Sequence, residues 1–349
     1  MYTLLNTAKK NMGDFLIWEK SRELIATHTG TTEFLVYDYW DSLDPHLEEV
    51  NATRAVVLCG GPAYEENFYP DVYRLSTRLE DLKVPVIPLG VGWAGRLVTK
   101  GGLVRIDPNA FQFTADSRRA LARIHSVVNC SGVRDVVTRD IVKRHGWGNV
   151  VLTGCPALFD QPSIGRAFQA PAQIRRVVFT IHQNRRFHRQ CIETMKRLRK
   201  LFPEAELFAS FHRGLRSDRY TGIVTGLRLW QLRREAESLG ATVVDAAYGT
   251  GATELYRTCD MHVGYRLHAH IFFLSLRKPS FLIHEDGRGS AFAETVQLAA
   301  LDALDDHMPD RLETNIRMEI AGGFPGFDKL AARIDALYEQ MKYVLSTFP

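Results

Sequence analysis

The chain has 349 residues, 45% hydrophobic and 24% charged, an ordinary globular composition long enough for two domains of typical size. A formal charge of +4 is too small for a nucleic-acid binder but suits small anions such as phosphates. The five cysteines (Cys59, Cys130, Cys155, Cys191 and Cys259) are odd in number, far apart and form no C-x-x-C pair, which speaks against a disulfide framework or structural zinc and for a reducing compartment.

The opening MYTLLNTAKKNMGDF lacks the apolar core and cleavage site of a signal peptide, and no apolar run reaches the roughly 18 residues of a spanning helix. A soluble, cytoplasmic protein is expected, with loose attachment to the inner face of the membrane left open.

In chain order, short Val-, Ile- and Leu-rich runs predict strands at 34–37, 55–59, 84–89, 127–130 and 150–152. Helices are predicted between them at 14–26, 71–82, 115–124 and 135–145. The Pro-, Gln- and Gly-rich segment 160–173 breaks the rhythm and reads as a linker. The pattern then restarts, with strands at 177–181, 206–210, 242–245, 261–264 and 280–284. Helices follow at 188–201, 227–239, 253–259, 266–276 and 290–304. A last helix carries Phe327, Leu330, Ile334, Leu337, Met341 and Val344 as one apolar stripe.

Alternating strands and helices predict an α/β fold of two doubly wound, Rossmann-like domains facing a cleft. The expected units are an N-terminal domain at 1–160, a C-terminal domain at 174–320 and a helix at 321–349 packing across a domain.

Several strand ends carry residues suited to ligands. Asn11-Met12-Gly13-Asp14 precedes a helix, where Gly13 permits a tight turn, Asp14 can cap, and free amides can hold an anion or simply end a loop. Gly60-Gly61 and Gly90-Val91-Gly92 follow strands and point to an open groove, although tight turns alone would explain either pair. Arg134 could reach phosphate or pair with an acid, and Asp135 could start a helix.

The stretch from Gln183 to Arg189, with Arg185, Arg186, His188 and Arg189, concentrates cationic side chains at a strand end. His212, Arg213, Arg216 and Arg219 form a second such cluster. Arg266 and His268 begin a helix and suit a dianion. Metal binding by His262, His268, His270 and His284 is a rival reading, weakened because His268 and His270 fall on different helix faces. Glu285, after the strand SFLIH, stands where nucleotide-binding α/β folds place an acid on ribose hydroxyls.

Taken together, N-x-G-D (Asn11 to Asp14), Gly60-Gly61, G-x-G (Gly90 to Gly92), Arg134-Asp135, T-G-x-P (Thr153 to Pro156), R-L-H (Arg266 to His268) and Lys278-Pro279 resemble the polysaccharide pyruvyl transferase family over roughly residues 11 to 300. The resemblance implies a GT-B-like two-domain fold. It also implies transfer of the enolpyruvyl unit of phosphoenolpyruvate to two hydroxyls of a sugar, giving a pyruvate ketal and phosphate.

On that resemblance Arg266 and His268 belong to the phosphoenolpyruvate site, Leu267 contributes through its backbone, and Arg185 or Arg186 supplies a further arginine. His268 is expected to be the general acid and Asp14 the base from the facing domain. Asn11, Gly13, Gly60, Gly61 and Gly92 are expected to line the substrate groove, and Glu285 to contact the acceptor. The family often has Asp in T-G-D-P where this chain has Cys155, a position read here as structural.

The implied partners are phosphoenolpyruvate as donor substrate and a saccharide acceptor, free, nucleotide-linked or lipid-linked, with no nucleic acid, metal or other cofactor. A nucleotide-sugar glycosyltransferase of GT-B type, or a non-catalytic anion-binding protein of the same fold, are the alternatives.

Overall fold

The computed structural model of the chain describes residues 1–99 and 102–349. The first half contains β1 (Tyr2–Asn6), α1 (Met12–Thr29), β2 (Phe34–Asp38), α2 (Leu47–Asn51), β3 (Val56–Cys59) and β4 (Val86–Leu89). It continues through β5 (Arg96–Thr99), β6 (Gly102–Arg105), α3 (Ala115–Val127), β7 (Ser131–Val133), α4 (Val136–Arg144) and β8 (Val150–Leu152). Its sheet is parallel in the order β2-β1-β3-β4. The parallel pair β7-β8 extends it through a bridge between Val91 and Val133. Every residue of β3 and β4 is buried, as expected of strands covered on both faces.

The second half runs β9 (Arg176–Thr180), α5 (His188–Leu201), β10 (Glu206–Phe211), α6 (Ile223–Ser238), β11 (Ala241–Asp245), α7 (Ala252–Thr258) and β12 (Met261–Gly264). It ends with α8 (Leu267–Ser275), β13 (Ser280–His284), α9 (Gly287–Val296), β14 (Leu301–Asp302), α10 (Met308–Ala321) and α11 (Leu330–Ser346). The six strands are parallel in the order β11-β10-β9-β12-β13-β14. The chain therefore starts at the centre, winds outward to β11, and returns to β12 on the other side of β9. The crevice beyond the carboxyl ends of β9 and β12 is the switch point where such sheets hold ligands.

The halves share one continuous apolar core. It runs from Leu4 and Ile17 through Cys155–Phe159 to α8, buried from His268 onward, and on to Phe179 in β9. Helix α11 returns to the first half and packs on α1, β7 and β8. There Tyr338 Oη lies 3.1 Å from His28 Nε2. All five cysteines are buried and unbridged.

Three expected elements differ. No helix spans 71–82: Asp44 accepts from the Thr77 amide and the Ser76 hydroxyl, and Leu75 takes a left-handed φ of 45°, so side-chain acceptors replace helical ones. The strand expected at 127–130 begins instead at Ser131, because α3 continues through Val127 and Asn149 Nδ2 donates to His125 O and Val128 O at its end. The helix expected to reach residue 304 stops at Val296, where Gln297 turns left-handed at φ 52°. Strand β1, the β5-β6 hairpin and α10 were not anticipated.

Candidate functional site

Strand β12 ends at Gly264, with φ 144°, where a Cβ would stand 2.4 Å from Thr180 Oγ1. Only glycine lets β12 lie so close to the end of β9. The chain then turns into α8, with the Tyr265 amide donating to Thr180 O and the Arg266 amide to Thr180 Oγ1. Arg266 is bolted to the end of β9: Nε donates to Ile181 O at 3.2 Å and Nη2 to Gln183 Oε1 at 3.0 Å. Burial, then the neighbouring Arg213, lower its pKa to about 10, so it stays cationic at neutral pH.

His268 lies in the first turn of α8, buried against the first half. A Cβ on Gly13 would stand 2.4 Å from His268 Nδ1, so the absence of a side chain at 13 lets α1 meet α8. His268 Nε2 is buried without a hydrogen-bond partner, as is Asn11 Oδ1 at the start of α1. Burial, reinforced by Arg134 and Arg288, depresses His268 to about 3, so its ring is neutral here.

Two acids follow β13. Glu285 Oε2 accepts from His182 Nε2 at 2.6 Å, while His182 Nδ1 accepts from the Asn184 amide at 3.0 Å, which fixes the tautomer. Burial works to raise Glu285, but His182, Arg288 and Arg266 outweigh it and hold the carboxyl at about 2. Asp286 caps α9 by accepting from the Arg288 amide at 3.0 Å, and its carboxylate pairs with Arg288 Nη2 at 2.5 Å.

These groups open onto a cavity of about 590 Å³. Of the expected residues, it is lined by Asn11, Arg185, Arg266, Leu267, His268 and Glu285. Arg213, Arg228 and Arg288 add three guanidinium groups, and His182, His188, His212 and His284 add imidazoles. Asp14 sits just behind Asn11. Its carboxyl is raised by burial, against a hydrogen bond from Asn11 and the pull of Arg213, Arg288 and Arg266.

Other expected residues lie elsewhere. Asp14 does not cap α1; Asn11 holds the N-cap position, without a side-chain cap bond. Gly60 (φ 63°) is pressed on Ile17, where a Cβ would meet Cγ2 at 2.5 Å, and Gly61 (φ 82°) turns beside Thr7. Gly92 lies on the guanidinium of Arg134, 2.2 Å from where its Cβ would be. These three glycines serve packing and do not line the cavity, so the two Gly-rich turns do not form the expected groove. Arg186 is exposed, over the ring of Phe187.

Arg134 and Asp135 follow the structural reading. They pair at 3.0 Å inside the fold, and Asp135 caps α4 through the Thr138 amide. His262 Nδ1 and His270 Nδ1 converge on Ser280 Oγ, each at 2.7 Å. Among the described residues no set of three His, Cys, Asp or Glu side chains is placed to hold a metal.

Sequence reasoning missed His182, Arg228, and two inter-half contacts. Lys10 Nζ reaches Asp218 Oδ2 at 2.6 Å and Thr221 Oγ1 at 2.5 Å. Arg105 grips both Asp302 oxygens at 2.6 Å and donates to Glu285 O at 3.1 Å. His182 had a usable signal, a polar residue directly after a buried strand. The others depend on which loops meet across the cleft.

The profile of the family described as polysaccharide pyruvyl transferase matches residues 11–208. No curated protein matches the chain. Among solved structures, the S. aureus MnaA–UDP co-structure is similar over 97% of this chain and 94% of that one, at 11% identity and a TM-score of 0.53. UDP-GlcNAc 2-epimerase from Neisseria meningitidis bound to UDP-GlcNAc is similar over 99% of both chains, at 11% identity and a TM-score of 0.53. At such identity the likeness is one of fold, the GT-B-like arrangement of two α/β halves about a cleft.

Proposed function

This chain belongs to the polysaccharide pyruvyl transferase family, and on that premise we propose that it transfers the enolpyruvyl group of phosphoenolpyruvate to a saccharide, forming a pyruvate ketal and releasing phosphate. The observation that carries this reading is Arg266, held by neutral oxygens beside the unpartnered Nε2 of buried His268, in a cavity also lined by Arg185, Arg213 and Arg228. Phosphoenolpyruvate brings a phosphate and a carboxylate, and guanidinium groups match both in a two-pronged way.

In this reading the methylene carbon of phosphoenolpyruvate gains a proton, which leaves C2 electron-poor. One sugar hydroxyl adds at C2 and gives up its proton, and phosphate departs with its electron pair. A second hydroxyl then adds at C2 and gives up its proton, closing the ketal. His268 supplies the proton once a bound dianion has raised its pKa toward neutrality. Asp14, whose carboxyl burial raises, is a better base than Glu285, which is held ionised and orients the acceptor hydroxyls. No step requires a metal. The acceptor is a saccharide, and a nucleotide or lipid diphosphate carrier would suit the outer arginines.

Calorimetric titration of phosphoenolpyruvate into wild type and Arg266→Ala tests the reading. Loss of a charged anchor should cost on the order of 2–5 kcal/mol, enough to abolish measurable binding of a weak ligand. Wild type that ignores phosphoenolpyruvate, with and without saccharide acceptors, yet binds UDP-GlcNAc would replace this reading with nucleotide-sugar chemistry.

A further inference from the structure

Helix α6 is apolar on two opposite faces. Gly226, Leu229, Leu232 and Ala236 are buried on the inner one. On the outer face Ile223 is 75% exposed, Leu227 66% and Trp230 58%, with Val224 61% exposed beside them and Tyr220 44% exposed in the preceding loop. The spacing 223, 227, 230 and 234 is one helical stripe, so three large apolar side chains and Arg234 look outward together. A helix apolar all round is normally buried, and this one is covered on one side only.

Charge surrounds the patch. Residues 213–237 hold six arginines (213, 216, 219, 228, 233 and 234) and three acids: Asp218, which Lys10 engages, Glu235, and Glu237, which pairs with Arg233. Arg219 lies over the Tyr220 ring at 4.7 Å, and Arg234 over the Trp230 ring at 5.7 Å. Aromatic rings and aliphatic side chains fringed by arginine are the composition of a helix lying in a membrane interface. A two-fold contact with a second copy would instead set arginine against arginine on the same patch.

We infer that the outer face of α6, with the loop before it, docks on an anionic lipid bilayer, its apolar side chains entering the headgroup region and its arginines meeting lipid phosphates. The contact is superficial, since no helix among the described residues is long and apolar enough to cross a membrane. Thr221, Thr225 and Arg228 line the cavity from the same segment, so one helix carries the docking face on its outer side and part of the cavity wall on its inner side. This surface stands whether or not the proposed chemistry is correct.

The test is co-sedimentation of the full chain with vesicles of phosphatidylcholine alone and of equal parts phosphatidylcholine and phosphatidylglycerol. Wild type should pellet with the anionic vesicles, weakly with the neutral ones, and less as salt rises. Leu227→Ser with Trp230→Ser should weaken partition at least about tenfold, with an unchanged melting temperature because neither side chain packs inside. Arg219→Glu with Arg234→Glu should do the same through charge alone. No partition of wild type, or partition untouched by both double variants, overturns the inference. So does a dimer, seen by sedimentation equilibrium, that the serine pair dissociates while wild type ignores vesicles.

Discussion

Gly13 of α1 and His268 of α8 touch so closely that a single added methyl group would stand 2.4 Å from Nδ1 and 2.8 Å from Cβ of the histidine. In an exposed helix Gly→Ala gains about 1 kcal/mol from propensity. Here the clash reverses the sign, since overpacking costs about 1–3 kcal/mol and the obstructing atoms include the root of the side chain. Gly13→Ala should lose stability in urea unfolding and lower turnover by an order of magnitude or more. Gly13→Ala with normal turnover would show that the position of His268 is not critical.

His268 is neutral near neutral pH, with its pKa depressed to about 3 by burial and then by Arg134 and Arg288. A bound dianion raises that value, so binding between the two pKa values must take up protons. Titrating phosphoenolpyruvate at mildly acidic pH in buffers of different ionisation enthalpy should reveal proton uptake in wild type and a smaller uptake in His268→Gln. Equal uptake in both would remove His268 as the proton carrier.

Buried neutral histidines should make the fold acid-sensitive. His125, stacked on Trp147 and bonded to Asn149, is lowered to about 4, chiefly by burial. Between about 4 and its ordinary 6.5 the unfolded chain binds a proton that the folded chain refuses, so stability falls as pH falls through that window. His125→Gln should flatten the decline of melting temperature between neutral and acidic pH, and an unchanged slope would reject the assignment.

Asp335 of α11 accepts from Arg277 Nη2 at 2.6 Å, and Arg277 is almost wholly buried. Asp335→Ala leaves that guanidinium without its counter-charge. Stripping one partner from a buried pair typically costs several kcal/mol, and the partial exposure of Asp335 places this case near about 3 kcal/mol. Denaturant unfolding would measure it, and a loss near zero would mean that water replaces the carboxylate.

Cys155 stands where the resembling family often has Asp. It is fully buried, outside the cavity lining, and burial pushes its thiol up to about 11. Cys155→Ala should leave kcat within about twofold while lowering stability slightly, as for a small buried apolar group. A large fall in kcat with phosphate release as readout would give the thiol a role in the reaction.

The strands at 150–152, 261–264 and 280–284 and the helix at 188–201 match the predicted bounds, because each is a run whose local pattern agrees with its buried place. Strand β1 was overlooked because Tyr2–Asn6 sits among residues read only for a leader. The expected helix at 71–82 failed because its acceptors are side chains from elsewhere, Asp44 above all. The site followed the same logic. Arg266 and His268 stood out because a cation and an imidazole open an otherwise apolar helix. Gly60, Gly61 and Gly92 looked like ligand turns because sequence cannot distinguish close approach to a ligand from close approach to Ile17 or Arg134. His182 and Glu285, 103 residues apart, become partners only through the order of β9, β12 and β13.

The linker at 160–173 divides the topology but not the core. Leu4 and Ile17 belong to the same apolar cluster as Phe179 and Phe273, with Cys155–Phe159 and α8 between them. A fragment ending at the linker would carry half an interior with its apolar side exposed to water, and so would the remainder. The peptide bonds of that segment are therefore less essential than the surfaces they join. A chain cut there should hold together and refold as two pieces that require each other, whereas either piece alone should precipitate.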